Sequence, residues 1–144
     1  MYRSRKVARG LITGNEGAQY GLLRDYVQMI LRTYVGRKVI LQTEIENENA
    51  KPKFKRMYIR YNAQKVGFLG SCRPFVGLDG CHLKGRFSEQ LLSATVKDEN
   101  DNIFPVAITV VEQESKDNWI QFLEQFVDDI GGLEDLNLVF ISDK

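Results

Sequence analysis

The sequence is poor in cysteine, with only Cys72 and Cys81 among 144 residues. Two cysteines do not make a disulfide framework, and a reducing compartment, cytosol or nucleus, fits this usage. Proline is equally scarce, at 3 residues, beside 12 glycines, which excludes collagen-like repeats and proline-rich stalks. No apolar run approaches the roughly 18–20 residues of a membrane span. The opening stretch, Met1 to Gly10, is basic but lacks the apolar segment of a secretory signal. There is no internal repeat and no low-complexity tract. What is present, 43% hydrophobic and 27% charged residues, is the composition of a globular protein of one ordinary domain.

Net charge is close to balance, at +1, but the charges are not evenly placed. Residues 1–69 hold 14 Lys and Arg against 5 Asp and Glu, which is +9; residues 70–144 hold 6 against 14, which is −8. A basic half suits an anionic partner, and an acidic half suits metal or catalytic carboxylates. Two solvated faces of opposite sign that attract each other would show the same pattern.

Along the chain, Arg3, Arg5, Lys6 and Arg9 alternate with Val7, Leu11 and Ile12 and predict a short basic helix over 3–12, broken at Gly14 and Gly17. Tyr20, Leu23, Tyr26, Val27, Ile30 and Leu31 recur at helical steps up to Tyr34. Alternation over 38–46 and 54–61, across a polar turn at 47–53, predicts a β-hairpin. A helical stretch at 62–70 follows. Then 74–79, 89–97 and 103–111 read as an antiparallel meander. Ser115 reads as the N-cap of a helix that Gly131-Gly132 stops, and 138–141 as a final strand. The second half therefore has the order β-β-β-α-β. The fold class is α/β (α+β), a mixed sheet forming the opening of an RNase H-like fold, preceded by a helix and a hairpin. The expected division is a basic segment at 1–70 and the incomplete RNase H-like part at 71–144.

Two acids stand out. Asp79 ends the apolar run Phe75-Val76-Gly77-Leu78, and Asp143 ends Leu138-Val139-Phe140-Ile141-Ser142. If the two strands are parallel neighbours, both carboxylates emerge at one edge. Buried side by side they would repel unless a hard cation such as Mg²⁺ lay between them. Each Asp ending a strand and capping a turn is the structural alternative. Gly80 after Asp79 would permit a sharp bend and close approach of a phosphate, with Lys84 and Arg86 near it. Tyr58 and Tyr61, among Lys53, Lys55, Arg56 and Arg60, could combine base stacking with phosphate contact. An ordinary exposed hairpin would read the same way. Zinc is a poor reading for Cys72, Cys81 and His82, which lack paired ligand spacing. The sole Trp, Trp119, lies on the apolar face of its helix and reads as core.

From Arg73 to Arg86 (Arg-Pro-Phe-Val-Gly-Leu-Asp-Gly-Cys-His-Leu-Lys-Gly-Arg) the sequence resembles the Mutator-like (MULE, MuDR-type) transposases of plants. The likeness continues through Gln90-Leu-Leu-Ser-Ala-Thr95, Asn102-Ile-Phe-Pro-Val-Ala107, Val110-Val-Glu112, Asp117-Asn-Trp119 and Phe140-Ile-Ser-Asp-Lys144. In the first half it covers the Tyr20–Leu31 helix, Phe54–Tyr58 and Gly67–Pro74.

The resemblance implies a DDE-type transposase core that cleaves and joins DNA with Mg²⁺ or Mn²⁺. Asp79 matches the first catalytic, metal-binding Asp and Asp143 the second. The third acid, a downstream Glu, is not among these residues, so the chain is expected to be an inactive fragment. The resemblance further implies a nuclear protein whose partner is transposon terminal-repeat DNA, with room for self-association and with neither a membrane nor a small-molecule substrate. Lys84, Arg86, Lys53, Lys55, Arg56 and Arg60 are the expected DNA contacts. Far-red-response regulators share this ancestry, so a domesticated, non-catalytic DNA-binding or regulatory derivative is the alternative.

Overall fold

The computed structural model describes residues 7, 16–85, 87–132 and 134–143. Arg3, Arg5, Lys6 and Arg9 of the expected basic helix, and Arg86, lie outside the described residues. The elements in chain order are α1 (Glu16–Gly21), α2 (Leu23–Thr33), β1 (Lys38–Glu44), β2 (Lys53–Arg60), α3 (Asn62–Ser71) and β3 (Phe75–His82). They are followed by β4 (Gln90–Lys97), β5 (Ile103–Val111), α4 (Lys116–Ile130) and β6 (Val139–Ser142). The predicted helix ending at Tyr34 is interrupted at Leu22, next to Gly21, a residue that weakens a helix.

The strands form one six-stranded mixed sheet in the order β1-β2-β5-β4-β3-β6. β3, β4 and β5 are the expected antiparallel meander, and β6 lies parallel to β3, as the β-β-β-α-β order requires. β3 runs three residues beyond the expected end at Asp79. Gly80 after Asp79 reads as a bend, yet ladder pairing with β4 continues through Cys81↔Leu91 and His82↔Gln90. The hairpin β1–β2 extends the same sheet, because β2 pairs with β5 from Arg56↔Val111 to Ile59↔Ile108.

α4 forms where the sequence places it. The Ser115 hydroxyl accepts from the Asn118 N–H at 3.2 Å, Asp117 lies in the first turn, and Gly131 ends the helix in the left-handed region at φ 109°. Its apolar side, Phe122, Phe126 and Ile130, packs on Tyr58, Val76, Leu92, Ala94, Val106 and Val111 to make the main core. The other face of the sheet carries a second cluster. Val27 of α2 packs there with Met57 and Ile59, bordered by Leu23, Leu31, Val39, Leu41 and Ile108. On that face, strand alternation places Phe75, Val139 and Ile141, which are exposed.

The interface between the hairpin and α4 is ionic. Arg60 Nε donates to Asp129 Oδ2 at 2.7 Å and its Nη2 donates to Oδ1; Tyr58 Oη donates to Oδ2 at 2.9 Å. Arg56 Nη1 donates to Asn118 Oδ1 at 2.9 Å and to Asp117 Oδ2 at 3.1 Å. Lys38 pairs with Asp128 at 3.1 Å. Part of the opposite charge of the two halves is thus an internal attraction. Among the described residues no helix is long and apolar enough to cross a membrane.

Candidate active site

The site is built by the parallel pair β3–β6. Their register matches Phe75 with Val139 and ends at Leu78↔Ser142. The next residue on each strand is Asp79 and Asp143, so the two acids stand together at one edge of the sheet. That edge is the carboxyl end of the parallel strands, where open α/β sheets collect ligands. Both acids are exposed rather than buried. Water therefore screens their repulsion, and the two carboxylates can stand there charged without a cation between them.

Gly80 lies inside β3, paired with Leu92, so it makes no bend. Its open side faces Glu114: a Cβ at Gly80 would stand 3.3 Å from that carboxylate. The close neighbour of this glycine is a carboxylate, where the sequence suggested a phosphate.

Glu114 is held from several sides. Its Oε1 accepts from Trp119 Nε1 at 3.0 Å, and its backbone N–H donates to Gln90 Oε1. Gln90 Nε2 is in turn 3.1 Å from His82 Nδ1 across the β3–β4 ladder. The result is a hollow of about 310 Å³, lined by Leu78, Gly80, Glu114, Trp119, Leu123, Ser142 and Asp143. Trp119 packs partly on the core, as expected, and also forms a wall of this hollow. Glu114 was not singled out by the sequence. The signal for it was its place next to the Ser115 N-cap, five residues before the sole Trp.

The loop from β3 to β4 closes with Leu83 N–H donating to Glu89 O at 2.8 Å. Lys84 is exposed on it. Phe87 packs edge-on against Tyr20 at 5.5 Å, and Tyr20 packs on Phe54 at 5.3 Å. The aromatic trio ties the loop after Asp79 to α1 and the start of β2.

The other expected DNA contacts divide by environment. Lys53 and Lys55 lie on the hairpin next to Glu46 (3.0 Å) and Glu44 (3.9 Å). Arg56 and Arg60 are 7% and 5% exposed and bonded to α4, so neither guanidinium is presented to a phosphate. Tyr58, 1% exposed with its hydroxyl on Asp129, cannot stack on a base; Tyr61 packs edge-on against Tyr34. Inward-facing and outward-facing positions of β2 look alike in sequence because both carry cations.

Cys72 and Cys81 are free thiols, and burial pushes the Cys72 thiol up. Among the described residues no group of three or more His, Cys, Asp or Glu converges as a metal cage. Mg²⁺ does not need one: it commonly takes one or two carboxylates and completes its shell with water and phosphate oxygens. The hard oxygens of Asp79 and Asp143 fit that pattern.

The family comparison agrees with this geometry. Residues 75–144, from the start of β3 through both acids, match the family model described as MULE transposase domain. This part of the chain is a MULE transposase domain. No curated protein and no solved structure matches the chain. The MULE transposase domain begins on the first residue of β3, so α4 and the β3–β6 pair lie within it, while β1 and β2 lie before it and share its sheet.

Proposed function

We propose that this chain supplies the opening part of an RNase H-like DNA-transposing core, in which Asp79 and Asp143 hold a divalent cation, Mg²⁺ or Mn²⁺. The observation that supports it is the parallel register of β3 and β6, which sets the two acids side by side. When bound, such a cation polarises a phosphoryl oxygen and lowers the pKa of a water or hydroxyl. The chain's own residues position the DNA. Lys84 on the loop and Lys53 and Lys55 on the hairpin contact the backbone, with Arg86 and the basic residues at the N-terminus adding to them. In this reading 1–70 is the basic accessory segment, 71–144 carries the acids, and the protein works in the nucleus on transposon terminal repeats.

Residues 1–144 contain two acids of the expected three, so on their own they bind metal loosely and do not cleave DNA. The second reading is a non-catalytic DNA-binding or regulatory derivative, in which the two acids hold no cation. One set of measurements separates the two. Mn²⁺ titrated into the full chain, followed by calorimetry, should bind weakly in the wild type and not in Asp79→Asn. Loss of binding in the variant supports the cation site; equal binding by both proteins rejects it. Strand cleavage by the wild type, abolished in Asp79→Ala, would show that two acids suffice.

A further inference from the structure

We propose that β1 is an open edge on which a second copy of this chain pairs, antiparallel and about a two-fold axis at Leu41, so that two six-stranded sheets join into one. β1 is an outer strand of the sheet and has β2 on one side only. Every second N–H and C=O along such a strand points away from its neighbour. Among the described residues no backbone other than β2 bonds to Lys38–Glu44. Val39 and Leu41 pack on the α2 side and Lys38 reaches Asp128 on the α4 side, so these contacts lie on the two faces of the strand and not on its edge. Edge strands are commonly blunted by proline, by charge in mid-strand or by a bulge that twists the edge away. The stretch Val39-Ile-Leu-Gln-Thr43 has neither proline nor charge. The irregularity in the β1–β2 ladder falls on the other strand: Gln42 pairs with Arg56 and Thr43 with Phe54, so Lys55 is the extra residue and β1 stays regular.

The residue order decides the partner. Paired with its own copy about Leu41, the strand sets Lys38 opposite Glu44, Val39 opposite Thr43 and Ile40 opposite Gln42. Opposite charges meet at both ends, β-branched residues meet next to the centre, and Leu41 meets itself. A two-fold joint needs a patch that is complementary to itself, and cross-strand pairs of these kinds are favourable. A shift of two residues sets Glu44 opposite Ile40 in one direction and opposite Gly36 in the other. A shift of one residue sets the α2 side of one copy against the α4 side of the other. Lys38 already holds Asp128 at 3.1 Å, and Glu44 lies 3.9 Å from Lys55. An ammonium has three donors and a carboxylate about four acceptor positions, so both contacts persist in the joint. The backbone ladder supplies the attraction and the end charges select the register. One seven-residue strand from each copy makes a small interface, so the dimer is in equilibrium with the monomer at micromolar concentrations. The β3–β6 pair lies at the far side of the sheet from β1, so the joint stands apart from the cation reading.

Sedimentation of the full chain from low to high micromolar concentration should show its mass rise from 16.5 kDa to twice that value. Amide exchange over Lys38–Glu44 should slow along with it. Lys38→Glu and Glu44→Lys each set like charges opposite one another at both ends of the joint. Either variant alone should self-associate about tenfold more weakly, the size expected for two cross-strand pairs turned from attraction to repulsion. An equimolar mixture of the two variants has opposite charges at both ends again and should associate as well as the wild type. A folding defect in either variant would not be repaired by mixing.

A mass of 16.5 kDa at every concentration overturns the proposal. A dimer whose Lys38–Glu44 amides exchange no more slowly at high concentration also overturns it, since the contact would lie elsewhere; this measurement uses the wild type alone and decides the matter if a variant does not fold. Folded variants that fail to associate on mixing overturn the two-fold register. Species that grow beyond the dimer overturn it as well, because β1 would then join a different surface of the next copy and the contact would not close.

Discussion

Arg60 on β2 and Asp129 on α4 meet as a buried, doubly hydrogen-bonded ion pair, 5% and 6% exposed, with Tyr58 as a third donor to the same carboxylate. The pair joins residues 69 positions apart, one from the basic half of the chain and one from the acidic half. It lies outside the matched segment at one end and inside it at the other. The hairpin is therefore anchored to α4 by chemistry as well as by its ladder with β5.

Removing one partner should be costly. A charge left buried without its counter-ion costs about 3–5 kcal/mol. Asp129→Leu, which leaves the Arg60 guanidinium unpaired, should lower the free energy of unfolding by that amount. The double variant Arg60→Met, Asp129→Leu should recover most of the loss, because an apolar pair of similar volume is often as stable as a buried ion pair. Urea unfolding of the single and double variants tests this. A single-variant loss below about 1 kcal/mol would mean that water reaches the pair.

The same carboxyl sets an acid limit on stability. Burial pushes the Asp129 carboxyl up, but the bonds from Arg60 and Tyr58 and the Arg60 charge outweigh it, and the net direction is down. A group whose folded value lies below its unfolded value contributes stability above the unfolded value and loses it as pH falls through the folded one. Stability should hold through neutral pH, begin to fall near the ordinary carboxylate range and keep falling below it. Thermal unfolding across this range should show a shallower acid slope in the Arg60→Met, Asp129→Leu variant. Equal slopes would place the acid sensitivity elsewhere.

The sheet was legible in the sequence because its signals are local. Alternation marked the strands, Ser115 marked the start of α4, and Gly131-Gly132 marked its end. The parallel β3–β6 pair followed from the order β-β-β-α-β and the handedness of crossover connections. The β2–β5 pairing was not legible, since nothing in a hairpin announces which strand it joins. Arg56 and Arg60 read as DNA contacts for a related reason. Their partners, Asp117 and Asp129, lie some sixty to seventy residues away and are recognisable only once the sheet and α4 are in place. At the site, Asp79 and Asp143 read as acids at strand ends; β3 in fact runs on past Asp79, and it is the end of the β3–β6 pairing at Leu78↔Ser142 that the two acids follow. Glu114 was not legible, because its position depends on the open side of Gly80.

Thr109 is 1% exposed on β5, and its hydroxyl is buried without a hydrogen-bond partner. A buried unsatisfied polar group costs about 1–3 kcal/mol, and replacing it with an apolar group of the same shape is neutral or stabilising. Thr109→Val keeps the β-branch and removes the hydroxyl. It should leave thermal stability unchanged or raise it, by up to about 1 kcal/mol. Destabilisation beyond that amount would show that the hydroxyl is hydrogen-bonded in solution.

Gly80 offers the most direct test of the hollow's construction. An added Cβ would stand 3.3 Å from the Glu114 carboxylate, tighter than ordinary van der Waals contact, and a branched side chain would reach further. β3 is paired with β4 on this stretch, so the strand resists moving, and Glu114 precedes the helix at the end of a loop, so the carboxylate is what yields. Its shift breaks the bond from Trp119 Nε1. Gly80→Val should therefore move the single indole N–H resonance toward the position of a water-bonded indole, and Gly80→Ala should move it less. Glu114→Gln is the control, since an amide oxygen can still accept from the indole and the resonance should stay closer to wild type. The ladder itself tolerates valine, a good strand former, so unfolding should change by no more than about 1–3 kcal/mol, the usual cost of overpacking. An indole resonance unchanged in Gly80→Val would mean that Glu114 does not lie against β3 in solution.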